Sequence, residues 1–127
     1  MGKELPDIFI VDDDRSFRRS LQRLLNSRGF TASSFESAWA FFDSVPPGQK
    51  GIAIVDINMP LFDGFSLMDE MTALRYDMPV ILITGHTNPD SRTRAMNQGA
   101  VGFLQKPFQE RSLMALIDEQ KGDDLNR

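Results

Sequence analysis

Four sets of polar residues stand where apolar runs stop, and their types suit one chemistry. Asp12, Asp13 and Asp14 follow Ile8 to Val11, Asp56 follows Ile52 to Val55, Thr84 follows Val80 to Ile83, and Gln105, Lys106 and Pro107 follow Ala100 to Leu104. Carboxylates gathered in a partly buried site repel one another unless a cation joins them. An oxygen-only ligand set selects a hard divalent ion, Mg²⁺ or Mn²⁺ rather than Zn²⁺. A lysine and a threonine alongside supply the point charge and hydroxyl donor that a phosphoryl group needs. The set reads as a Mg²⁺-dependent phosphoryl site with an aspartate as candidate nucleophile. Taken singly, each residue has a plainer reading. A strand-end Asp is often a turn or cap, and Asp14 caps the first helix by this reading; Thr84 has strand propensity and Lys106-Pro107 suits a turn. The conjunction on successive strand ends carries the argument.

The elements that must position these residues are legible from periodicity. The four apolar runs are rich in Ile and Val and do not alternate with polar residues, as in parallel strands covered on both faces. A weaker strand, "FTASSF", suits a sheet edge. Between the strands lie helical stripes. Phe17, Leu21, Leu24 and Leu25 make one, closed by Gly29. Ala38, Trp39 and Phe42 mark a second helix, ending before the loop "VPPGQKG", with Trp39 and Phe42 placed in the core. Phe65, Met68, Met71 and Leu74 make a third. Asn88-Pro89 opens a fourth and Gly99 closes it, and Phe108, Leu113, Leu116 and Ile117 mark the last. Strand and helix alternate five times, which specifies an α/β domain: a mostly parallel sheet with helices on both faces. In such sheets ligands bind beyond the carboxyl ends of the strands, where all four polar sets would converge.

Composition narrows the class further. With 127 residues, 41% hydrophobic and 25% charged, the chain reads as one globular domain. The net charge of −4 argues against direct nucleic-acid contact by this chain, and the absence of cysteine excludes thiol chemistry. No apolar run reaches membrane-spanning length and "MGKELPDIFI" has no secretory pattern, so a cytoplasmic protein is expected. The polar stretch "KGDDLNR" reads as a tail or the start of a linker. Arg18, Arg19 and Arg23 read as a solvated helix face.

With these residues in view, the chain resembles the receiver domains of two-component response regulators, the CheY-like superfamily. The segments "IFIVDDD", "IVDINMPLFDG", "VILITGH" and "AMNQGAVGFLQKPF" carry the resemblance, which spans about residues 6 to 120. The last two are most similar to receivers that precede helix-turn-helix DNA-binding output domains. The resemblance implies a flavodoxin-like (βα)5 fold with strand order 2-1-3-4-5. It implies Asp56 as phosphoacceptor from a sensor histidine kinase or phosphotransfer protein. Asp13 would ligate Mg²⁺ with Asp56 and the Asn58 backbone carbonyl, and Asp12 would reach it through water. Lys106 and Thr84 would bind phosphoryl oxygens, and Phe103 occupies the aromatic switch position. Thr84 would move toward the phosphate and Phe103 would turn inward, repacking the face of the fourth helix, fifth strand and fifth helix around Arg92, Arg94, Met96, Val101 and Met114. That face would meet an output domain or partner, and the resemblance allows a phosphorylation-dependent homodimer. Asn58 and His86 hold the two positions that tune the rate of phosphate loss, though His86 reads equally as an exposed loop residue. The Lys106-Pro107 bond is cis in the family.

Two other classes compete. A haloacid-dehalogenase-type phosphohydrolase also uses a strand-end aspartate with Mg²⁺, but needs a second aspartate two residues on, where this chain has Asn58. A phosphorylation-independent binding module would keep the fold and lack part of the acidic pair, phosphoacceptor and lysine, all of which are present. The receiver reading implies a regulatory domain rather than an enzyme, with weak self-phosphorylation from small donors and weak autodephosphorylation at most.

Overall fold

A computed structural model describes residues 5–86 and 88–125. The elements run β1 (Ile8–Val11), α1 (Arg15–Ser27), β2 (Ala32–Phe35), α2 (Ala38–Ser44), β3 (Ile52–Asp56), α3 (Gly64–Ala73), β4 (Val80–Thr84), α4 (Pro89–Asn97), β5 (Gly102–Gln105) and α5 (Glu110–Leu125). All strand pairs are parallel, in the order β2-β1-β3-β4-β5. The chain starts in the middle, steps out to one edge, returns past β1 and then runs to the other edge. The reversal lies between β1 and β3, so their carboxyl ends flank a crevice.

The continuous apolar runs are explained by two cores. Phe9 and Val11 of β1, with Ala53 and Val55 of β3, pack on one side of the sheet against Phe41, Phe65, Leu67 and Ala95 from α2, α3 and α4. Ile8, Ile10, Ile52, Ile54, Ile81 and Ile83 face the opposite side, against Leu21 and Leu25 of α1 and Leu113 and Ile117 of α5. Alternate residues serve opposite cores, so every position must be apolar. β2 has only one sheet neighbour and only Ala32 buried, which accounts for its small polar residues.

Caps set where the helices start. Asp14 accepts from Phe17 N, Ser37 from Ala40 N, Asp63 from Ser66 N and Asn88 from Asp90 N. Two helices end through glycines with positive φ, Gly29 at 93° and Gly99 at 100°, which a side chain would disfavour.

Several expectations require correction. Trp39 is not core: it is 55% exposed and its ring lies 5.3 Å from that of Phe62. Phe41, two residues on and therefore on the opposite side of α2, takes the core position and meets Phe9, Phe35 and Tyr76. Leu74 caps α3 and is exposed, while Leu67 is fully buried on that helix. Phe108, expected on the last helix, precedes α5, which starts at Glu110. Arg18 is tied down rather than solvated, its guanidinium donating to the Asp12 carbonyl at 2.7 Å.

Candidate functional site

The carboxyl ends of β1, β3, β4 and β5 bring Asp12, Asp13, Asp56, Thr84 and Lys106 to one edge of the sheet. Asp56 is the last residue of β3, pinned through its strand neighbours between β1 and β4, and is only 3% exposed. Its Oδ1 accepts from the Asn58 backbone N–H at 3.1 Å. Beyond it, Ile57 N donates to Ile83 O and Gly64 N to Ile57 O, folding the segment from 57 to 64 back over the strand end. Gly64 makes this fold possible: a Cβ there would lie 2.8 Å from the Asp56 carbonyl oxygen and 2.9 Å from Ile57 Cα.

The acidic pair leaves β1 in two directions. Asp12 is fully buried; its Oδ1 accepts from Asp14 N at 2.9 Å and its Oδ2 from Lys106 Nζ at 2.8 Å. Asp13 is exposed. One carboxylate oxygen from each of Asp12, Asp13 and Asp56 lies within 4.8 Å of the others. Three hard oxygen donors at that spacing, with no His or Cys in the cluster among the described residues, fit a small divalent cation. The electrostatics favour one as well. Burial, then the charge of Asp12, pushes the Asp56 carboxyl up to about 6, opposed by the Asn58 N–H and by Lys106.

Lys106 reaches this cluster from the end of β5. Its ammonium lies 2.8 Å from Asp12 and 3.8 Å from Asp56, and it rests 4.0 Å from the centre of the Phe17 ring. The Lys106-Pro107 peptide is cis. Thr84 is buried, and its hydroxyl donates to Asn58 Oδ1 at 2.6 Å while accepting from His86 N at 3.1 Å. Gly85 N also donates to Asn58 Oδ1, at 3.1 Å. The Asn58 side chain therefore bridges β3 to the loop after β4. The His86 backbone meets Thr84, while its residue surface is exposed.

Phe103 is buried, with the Arg92 guanidinium 4.9 Å from its ring centre. Arg94, expected on the same face, instead lies 4.0 Å over the Phe65 ring and points toward α3. Phe17 and the Asn58 side chain contact the strand-edge cluster in ways that spacing alone did not signal: Phe17 read as core stripe, and nothing in the sequence showed that Asn58 would hold Thr84.

Comparison with known proteins supplies the class. The family model described as "Response regulator receiver domain" matches residues 8–118. The chain belongs to the response regulator receiver domains. Among curated relatives, this receiver is 40% identical over 111 residues to the transcriptional regulatory protein FixJ of Bradyrhizobium diazoefficiens, covering 87% of this chain and 54% of that protein. It is 42% identical over 103 residues to the C4-dicarboxylate transport transcriptional regulatory protein DctD of Rhizobium meliloti, covering 81% of this chain and 22% of that protein. The receiver thus spans about half, or less, of the curated relatives it matches. Among solved structures, the crystal structure of FixJ-N superposes with a TM-score of 0.83 at 33% identity, covering 93% of both chains. The response regulator StyR gives 0.84 at 38% identity, covering 91% of this chain and 58% of that one. The five-stranded order and the alternating helices are those expected of the class, and no described helix is long and apolar enough to cross a membrane.

Proposed function

We propose that Asp56 is the phosphoacceptor of this receiver and that a sensor histidine kinase or phosphotransfer protein is the donor. The observation that carries the reading is the meeting of Asp56, Asp12, Asp13 and Lys106 at one strand edge, with the Lys106 ammonium within 3.8 Å of the Asp56 carboxylate. A carboxylate oxygen of Asp56 attacks phosphorus, the P–N bond to the donor imidazole breaks, and the electron pair leaves with the ring nitrogen. Asp13, Asp56 and the Asn58 backbone carbonyl would hold Mg²⁺ or Mn²⁺, with Asp12 reaching it through water. When bound, such an ion neutralises charge on the transferring phosphoryl oxygens.

The chain's own residues do the rest. β3 presents the nucleophile from a rigid strand end. Lys106, held by Asp12 at rest, transfers its pairing to a phosphoryl oxygen. Thr84 gives up Asn58 to donate to another, and the loop after β4 follows. Phe103, already buried beneath Arg92, relays that shift to the α4-β5-α5 face. Asn58 and His86 flank the route by which water reaches the aspartyl phosphate. The transcriptional regulators among its relatives support an output domain or partner on the switched face as the target, with transcription as the controlled process and phosphorylation-dependent dimerisation of this chain as one route. A cytoplasmic setting accords with a kinase donor.

Intact mass spectrometry after incubation with acetyl phosphate and Mg²⁺ tests the assignment. One added phosphoryl group is expected, absent in Asp56→Asn and absent with EDTA. Phosphorylation persisting in Asp56→Asn would overturn it.

A further inference from the structure

The Lys106 ammonium has three N–H donors and three neighbours. Asp12 Oδ2 lies at 2.8 Å, Asp56 Oδ2 at 3.8 Å, and the Phe17 ring centre at 4.0 Å. The two carboxylates approach from the sheet edge, and the aromatic face belongs to α1. This is a cation–π distance, and an ammonium over a ring gains most where water is reduced. Lys106 meets that condition, its side chain being only 19% exposed.

The ring is itself held. Phe17 sits on the inward stripe of α1, one turn before Leu21, and meets Phe108 edge-on at 6.0 Å with the planes 76° apart. Phe108 follows directly on Pro107, so the segment that carries Lys106 also braces the ring beneath its ammonium. With Leu21, Leu24 and Pro107 the two phenyl rings line an apolar groove of about 460 Å³ that ends at Lys106.

A lysine on a four-carbon stem loses much rotamer freedom when its head is fixed, and the head is strongly hydrated when free. At rest Asp12 supplies one short contact. During transfer the ammonium must also meet a new anion at Asp56, 3.8 Å away at rest. A neutral aromatic face holds the cation without competing for its ionic donors and without adding a charge that the arriving phosphoryl group would have to displace.

We infer that Phe17 is a positioning residue for phosphoryl transfer: its π face keeps the Lys106 ammonium poised between Asp12 and Asp56. The inference rests on the phosphoacceptor reading above and adds to it a residue that acts through Lys106, without touching the phosphoryl group.

The test replaces Phe17 in the full chain with mono-, di- and trifluorophenylalanine, which drain the ring's negative face while nearly preserving its shape. The second-order rate of phosphorylation by acetyl phosphate with Mg²⁺ is expected to fall stepwise, by about two- to tenfold across the series. Phe17→Tyr is expected to retain the rate, and Phe17→Leu to fall at or below the trifluoro form. A second readout needs no phosphoryl donor: the Lys106 Hε protons should be shifted upfield by the ring and return toward ordinary values in Phe17→Leu. A flat fluorine series in protein that is phosphorylated normally would overturn the positioning role and leave the phosphoacceptor reading intact. Wild-type protein that takes up no phosphoryl group, from acetyl phosphate or from a histidine kinase, would overturn both.

Discussion

The Thr84 hydroxyl is held by the side chain of Asn58, 2.6 Å from its Oδ1, and the same oxygen takes the Gly85 N–H at 3.1 Å. Asn58 belongs to the segment after β3 and Thr84 ends β4, so one amide fastens the loop after β4 to the strand that carries Asp56. In the proposed switch this bond must break before Thr84 can donate to a phosphoryl oxygen. The resting state is thereby favoured by about 0.5–1.5 kcal/mol. Asn58→Ala should tighten beryllofluoride binding about two- to tenfold, measured by titration in the presence of Mg²⁺. Thr84→Ala in the Asn58→Ala background should then show coupling rather than additivity. Weaker binding in Asn58→Ala would show that the amide serves the bound anion instead.

Asp56 is charged at a cost. Its folded value of about 6 lies above the ordinary 3.8, so between those values the folded chain binds more protons than the unfolded one. Its contribution to stability is therefore fully present below about pH 4 and is lost as pH rises through 6. Asp56→Asn removes the charge and should stabilise the metal-free protein by about 1–3 kcal/mol at pH 8 and by much less at pH 4.5. Urea denaturation at both pH values, with EDTA present, measures the difference. An equal gain at both would place the cause outside the Asp56 charge.

Gly64 and Gly102 both stand where a Cβ would collide, but with different neighbours. At Gly64 the obstacle is the backbone of Asp56 and Ile57, which cannot yield without moving the proposed phosphoacceptor. At Gly102 it is the Leu116 side chain, with Cδ1 at 2.6 Å, which can rotate aside. Gly64→Ala should lower stability by about 1–3 kcal/mol and also slow phosphorylation, whereas Gly102→Ala should cost less and leave phosphorylation near normal. Denaturation midpoints and phosphorylation rates of the two variants check this pair.

Leu61 is 96% exposed and has φ +70°, a conformation that a leucine side chain disfavours. Asparagine tolerates it through local hydrogen bonding. Leu61→Asn should raise stability by about 0.5–1 kcal/mol, seen as a higher urea midpoint at unchanged slope. A fall would mean that the exposed leucine gains more from contact with its neighbours than its backbone loses.

The sequence by itself determined the element order and the identity of the polar cluster. A parallel sheet covered on both faces demands unbroken apolar strands, and any residue that interrupts the pattern at a strand end must stand at the carboxyl edge; that is why Asp12, Asp13, Asp56, Thr84 and Lys106 could be grouped by reading alone. Cap residues such as Asp14 and Asn88 were legible because capping is local. The tertiary structure decided what depends on rotation and on distant partners. A short helix leaves its facing ambiguous, so Trp39 went outward and Phe41 inward. Arg18 and Arg94 found a carbonyl and a ring that lie on other elements. The Asn58 amide met Thr84 across 26 residues, and Lys106 settled on Phe17 from the far end of the chain. Such contacts are set by the packing of layers against the sheet, which no spacing within a single segment encodes.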